Sequence, residues 1–145
     1  MKKIIVINGP NLNLLGERQP EIYGTTTLPQ LETMLKKFGK ELGYAVECFQ
    51  FNSEGEIVEC LQTHRSGVAG IVMNPAGYSH TSVVILDAIY AVKAPVVEVH
   101  ISNIYSREEF RRKSITARGC AGIISGLGID GYKLAIQYIA NTAKG

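Results

Sequence analysis

The sequence contains no long apolar run. Its longest uncharged stretch, Ser66 to Leu86, is broken by Asn74-Pro75 and holds His80, so it is not a membrane span. Cysteine is scarce and badly spaced for pairing. Cys48, Cys60 and Cys120 are an odd number with no C-x-x-C unit, which argues against a disulfide framework and for reduced thiols in a cytoplasmic setting. His64, His80 and His100 lie far apart, with no cysteine pair beside them, so no metal site is expected. An excess of one charge is missing too: 15 Lys and Arg against 13 Asp and Glu leave +2. Lys36, Lys37 and Lys40 fall on an expected helix and read as a solvated face rather than a nucleic-acid footprint. There is no P-loop, no G-x-S-x-G elbow, and no linker, repeat or low-complexity tract.

What is present fits one domain, residues 1–145, at 46% hydrophobic and 19% charged. Met1-Lys-Lys before Ile4–Ile7 has the order of a signal peptide, but the apolar part stops at Asn8, which makes it a strand. Lys3–Asn8 is a β-branched run of the kind buried on both faces. Leu28, Leu31, Leu35, Phe38 and Leu42 recur at helical spacing before Gly43, a stop signal. Strands are expected at Val46–Phe51, Gly70–Met73, Pro95–Val99 and Gly122–Ser125. Helices are expected after Ser53, with Glu56 in the capping-box position, and over Thr81–Val92 and Tyr132–Ala143. Asn74–Ser79 reads as a loop, and a short helix is expected near Arg107–Arg112. Repeated βα units predict an α/β fold, a parallel sheet with helices on both faces and ligands beyond the carboxyl ends of the strands.

Polar residues gather at those ends: Asn8 and Asn11, Asn52, Asn74 with His80, then Glu98, His100 and Ser102. Arg18 and Tyr23 lie in the polar, glycine-punctuated segment Gly9–Gly24. A free phenol ionises only near pH values of about 10. A cation about 4 Å away at an effective dielectric of about 20 supplies roughly 4 kcal/mol, so a neighbouring guanidinium on a closing loop favours a phenolate base. Glu98 and His100 share one strand face, where a carboxylate can orient an imidazole as a general acid; the plain alternative is two polar residues at a fraying strand end. Asn74 and His80 could bind hydroxyls, with Gly77 allowing close backbone approach. Ile101 and Ser102 could offer a backbone N–H and a hydroxyl to an anion. Arg107 and Arg111 could each face the pocket or solvent. His64 reads as a dipole partner at a helix C-terminus. Gly126–Gly131 matches G-x-G-x-x-G but falls in the last βα unit, so it reads as a tight turn rather than a dinucleotide site. Thr81–Val92 is apolar almost all round, which calls for a second copy of the chain against its outer side.

Taken together, these residues resemble the type II 3-dehydroquinate dehydratases. The similarity runs through Gly9-Pro-Asn-Leu-Asn-Leu-Leu-Gly16, Arg18 with Tyr23-Gly24, Asn74-Pro through His80-Thr-Ser82, Val97-Glu-Val-His-Ile-Ser-Asn103, Arg107-Glu-Glu-Phe-Arg111 and Gly126-Leu-Gly. The resemblance implies a flavodoxin-like three-layer sandwich with a five-stranded parallel sheet, dodecamers built from trimers, and no cofactor. It implies a hydro-lyase that converts 3-dehydroquinate to 3-dehydroshikimate in the shikimate pathway. On that resemblance Tyr23 removes a C2 proton to give an enolate, and His100, held by Glu98, protonates the departing C1 hydroxyl. Asn11 helps hold a water on the enolate, Arg18 stabilises charge from a lid, and Arg107 is a second cation for Tyr23. Ile101 and Ser102 match carboxylate-binding positions, Asn74, His80 and Arg111 match groups on the ring hydroxyls, and Asp87 matches an acid that completes a neighbouring subunit's site. Gln19, where the lid often has glutamate, and Leu86, where an arginine is common, depart from the pattern.

Other classes fit less well. The type I dehydratases use a lysine Schiff base on a larger barrel, and no lysine falls in these polar loops. A receiver domain needs clustered acids where this chain has Asn8-Gly-Pro. A flavin- or nucleotide-binding module remains the non-enzymatic rival, without a convincing phosphate cradle.

Overall fold

Alternation along the first strand sets the layers. In β1 (Lys3–Asn8), Ile4 and Val6 enter one core while Ile5 and Ile7 enter the other, and all four are fully buried. A strand buried on both faces needs helices on both sides. The computed structural model, which describes residues 1–144, supplies them. Helix α2 (Leu28–Glu41) and α5 (Asp130–Lys144) cover the first face, with Leu31, Leu35, Tyr132 and Ile136 against the sheet. Helices α3 (Glu54–Thr63) and α4 (Val83–Tyr90) cover the second, through Ile57, Leu61, Ile85 and Ile89.

The remaining strands are β2 (Ala45–Gln50), β3 (Gly70–Asn74), β4 (Val96–His100) and β5 (Gly122–Ser125). All pairs are parallel, in the order β2-β1-β3-β4-β5. This is the flavodoxin-like order, with its switch point between β1 and β3. The expected fold class is therefore the observed one.

Local chemistry explains where elements begin. Thr27 caps α2 in a full capping box: its hydroxyl accepts from Gln30 N–H at 3.3 Å and the Gln30 side chain accepts from Thr27 N–H at 3.0 Å. Ser53 caps α3 by accepting from Glu56 N–H at 3.4 Å. Ser82 caps α4, accepting from Ile85 N–H at 3.0 Å while its own hydroxyl donates to Glu54. That cap starts α4 later than the expected Thr81, and the segment Ala76–His80, expected as loop, is a 3-10 turn. His64 ends α3 by donating from Nδ1 to the Cys60 carbonyl at 2.8 Å.

Two departures matter for the site. The segment expected as loop before α2 contains a one-turn helix, α1 (Pro20–Tyr23), too short to leave a periodic signal. The helix expected near Arg107–Arg112 is instead two 3-10 turns, Ile104–Ser106 and Glu109–Arg111. Arg107 and Glu108 between them have ψ of -167° and 148°, which breaks the helical ladder. The Gly126–Gly131 motif is a turn: Gly126 N–H donates to His100 O at 3.2 Å and Gly128 N–H to Ile101 O at 3.1 Å, closing the end of β4. A Cβ on Gly126, at φ 93°, would stand 2.8 Å from Asn103 Cβ.

The cysteines are free, and burial pushes the Cys60 thiol up to about 11 and those of Cys48 and Cys120 up to about 12. Only the thiolate alkylates. At pH 8 iodoacetamide should label the folded protein at least about a hundredfold more slowly than the urea-unfolded chain, as read by mass spectrometry.

Candidate active site

The two loops that leave the switch point touch. Asn8 ends β1 opposite Asn74, which ends β3, and Gly9 N–H donates to Asn74 O at 2.8 Å. A Cβ at Gly9 would lie 2.8 Å from Pro75 O, so only glycine permits this approach. Beneath the junction Tyr132, from α5, is fully buried. Its hydroxyl donates to Asn8 Oδ1 at 2.6 Å and accepts from Asn74 Nδ2 at 3.0 Å. Burial also raises the phenol far above its ordinary range, so Tyr132 is a neutral strut. Asn74 Oδ1 accepts from the N–H of Ala76, an Asx-type bond that steadies alanine at φ 53°. One Asn74 amide hydrogen is left for a ligand.

Above this floor lies a cavity of about 190 Å³. Asn11 enters from the first loop at φ 70°, a region asparagine tolerates. Its N–H donates to Asn52 Oδ1 at 3.0 Å, and Gln50 Nε2 bridges Asn52 Oδ1 and Gly9 O at 3.0 and 3.1 Å. Arg18 and Tyr23 line the same cavity, as do Ile101 and Ser102 beyond β4. Arg107 Nη1 donates to Tyr23 Oη at 2.6 Å and to Ser102 Oγ at 3.2 Å, while the Arg18 guanidinium lies 5.1 Å from the centre of the Tyr23 ring. A guanidinium only donates, so the Tyr23 oxygen is the acceptor, which is the polarity a phenolate requires.

His100 lines the cavity as well. Its Nε2–H donates to Glu98 Oε2 at 2.7 Å, and Glu98 is fully buried behind it, outside the cavity lining. That leaves Nδ1 as the ring nitrogen for a ligand. His80 also lines the cavity, its Nδ1–H donating to Lys113 O at 2.7 Å. Arg111 lines it too, and its Nε donates to Glu108 Oε2 at 2.8 Å. This hydrogen bond holds the exposed Glu108 carboxyl below the usual carboxylate range. Gly77 lines the cavity, and a Cβ there would meet no protein atom within 4 Å.

Asp87 is not brought in. It is exposed on α4, outside the cavity, between exposed Val83, Val84 and Tyr90. Leu86 faces the Gly119 turn of its own chain, where a Cβ would lie 3.0 Å from Leu86 Cδ1. Among the described residues no group of His, Cys, Asp and Glu could hold a metal ion.

Sequence reasoning missed Tyr132, Ser114 and Thr116. Ser114 and Thr116 donate to Glu98, the first at 2.6 Å. Neither lies in a motif, and only tertiary structure reveals them. Tyr132→Phe should remove the donor to Asn8 Oδ1 and cost about 1–3 kcal/mol, seen as a lower urea midpoint at unchanged slope.

The sequence matches the family described as Dehydroquinase class II over residues 2–140. It is 51% identical over 140 residues to a protein of Thermus thermophilus named 3-dehydroquinate dehydratase, covering 96% of this chain and 94% of that one. It is 50% identical over 139 residues to a protein of Aspergillus clavatus named catabolic 3-dehydroquinase, covering 96% and 93%. The crystal structure of type II dehydroquinase from Propionibacterium acnes superposes with a TM-score of 0.93 at 44% identity over 97% of both chains.

Proposed function

The chain belongs to the class II dehydroquinase family and dehydrates 3-dehydroquinate in the shikimate pathway, and we propose that Tyr23 and His100 perform the two proton transfers. The observation that carries this reading is the pairing of Arg107 with the Tyr23 oxygen at 2.6 Å in the same small cavity as a carboxylate-held imidazole. The Tyr23 phenolate takes the C2 proton next to the ketone, and the electron pair moves onto the ketone oxygen as an enolate. A water held by Asn11 stabilises that oxygen. The enolate re-forms the ketone and expels the C1 hydroxyl, to which His100 gives a proton, so water leaves and a conjugated enone remains. Each turnover leaves Tyr23 protonated and His100 neutral, and exchange with solvent resets both.

The other residues bind and compensate charge. Ile101 N–H and the Ser102 hydroxyl hold the substrate carboxylate. Asn74, His80 and Arg111 hold the ring hydroxyls, His80 through the nitrogen left by its bond to Lys113. Arg18 covers the base and stabilises developing charge, with Gln19 entering α1 at φ 43° beside it. A cavity of about 190 Å³ suits one cyclohexane-sized acid better than a nucleotide, which weighs against a flavin-binding module.

Assembly completes the reading. Val83, Val84 and Tyr90 are 55%, 55% and 63% exposed around Asp87, an apolar surface that wants a second copy. Ile123, Leu134 and Tyr138 expose a separate apolar face at the β5 edge. A dodecamer of trimers needs two kinds of self-contact, and these two faces support one each, with Asp87 reaching a neighbour's cavity. The described strands form one sheet, which supports a single catalytic domain, residues 1–145. Three free thiols support a cytoplasmic location.

Tyr23→Phe should keep the circular dichroism spectrum of the parent and lose turnover, followed by enone absorbance; retained turnover would remove Tyr23 as the base. Asp87→Ala should raise KM or reduce the oligomer seen by light scattering. An unchanged KM with an unchanged particle mass would remove its role across subunits.

A further inference from the structure

The carboxylate behind His100 holds more donors than one histidine needs. Glu98 is fully buried on β4. Its Oε2 accepts from His100 Nε2–H at 2.7 Å and from the Ser114 hydroxyl at 2.6 Å, while its Oε1 accepts from the fully buried Thr116 hydroxyl. Ser114 Oγ in turn accepts from Ala117 N–H at 3.1 Å, which directs its own hydrogen to Glu98. Donors on different oxygens stop the carboxylate rotating and stabilise its charge away from water.

The same segment governs the second histidine. Lys113 O accepts from His80 Nδ1–H at 2.7 Å, and Ile115 N–H donates to Ser79 O at 2.6 Å. The two imidazole rings stand 6.3 Å apart, inclined by 22°. One stretch after β4, Lys113–Thr116, therefore decides which ring nitrogen each histidine turns to the cavity.

We propose that Ser114 and Thr116 are positioning residues for the elimination step: their hydroxyls lock Glu98 as the acceptor of His100 Nε2–H, so that Nδ1 meets the departing hydroxyl. This rests on the assignment of His100 as the acid. Loss of either hydroxyl frees the carboxylate to turn and lets the imidazole lose its orientation. Proton abstraction by Tyr23, which is held by Arg107 and not by Glu98, does not depend on it.

The test compares the two half-reactions in full-length Thr116→Val, Thr116→Ser and Ser114→Ala. Exchange of the substrate's C2 proton with deuterated solvent, followed by NMR, reports the first half-reaction, and enone formation reports the whole. Thr116→Val should slow elimination about tenfold while exchange changes less than about twofold and KM holds. Thr116→Ser should restore elimination, and nitrogen NMR should show less of the Nε2–H tautomer at His100 in the valine variant. Equal losses in exchange and elimination, or parental elimination in Thr116→Val, overturn the proposal. Where valine prevents folding, Ser114→Ala decides by the same split. His100→Ala run alongside separates the readings. A split there without one in the hydroxyl variants removes only the role of Ser114 and Thr116, and no split there removes the acid assignment itself.

Discussion

Arg107 donates to the Tyr23 hydroxyl across 84 residues of sequence, and the shape of the cavity depends on that contact. It ties the segment between β1 and α2 to the turns that follow β4. The bond exists because Arg107 is extended between two 3-10 turns, where Ser102 Oγ also receives its Nη1. A charged hydrogen bond contributes about 1.5–3 kcal/mol, whereas a cation over an exposed aromatic face contributes about 0.5–1 kcal/mol. Arg107 therefore outweighs Arg18 as the group that fixes Tyr23, although the sequence motif points first to Arg18.

The Glu98–His100 pair solves a different problem. A carboxylate removed from water is costly unless paired, and breaking such a pair by deleting one partner costs about 3–5 kcal/mol. Glu98 is compensated by hydrogen bonds from one imidazole and two hydroxyls, all donated to its two oxygens. Tyr23 is held by a cation and His100 by an anion. On the proposed mechanism each support is opposite in charge to the group it holds: a guanidinium beside a phenolate, a carboxylate beside an imidazolium.

The layers were legible in the sequence because β-branched runs and helical spacing are local signals, whereas the strand order came only with the family resemblance. Lys3–Asn8 and the Leu28–Leu42 pattern needed nothing from elsewhere in the chain. The clustering of Asn11, Asn74, His80 and His100 was also legible, since a parallel sheet collects its strand ends on one side. The helix at Arg107–Arg112 was misread because spacing cannot show that Arg107 and Glu108 are extended. Ser114, Thr116 and Tyr132 left no trace for a related reason. A hydroxyl's partner is fixed by tertiary contact, and serine, threonine and tyrosine are ordinary residues in any turn or helix.

The bond from Tyr132 to Asn8 has a consequence for how the molecule comes into being. It spans 124 residues, joining the first strand to the last helix. Contacts of such sequence separation form late, because the intervening loop must first be closed against its entropy. On the ribosome the floor of the cavity cannot assemble until the C-terminal helix has emerged. A chain that ends before this helix lacks the hydroxyl that joins the two asparagines, and Asn74 keeps only its bond from the Ala76 N–H.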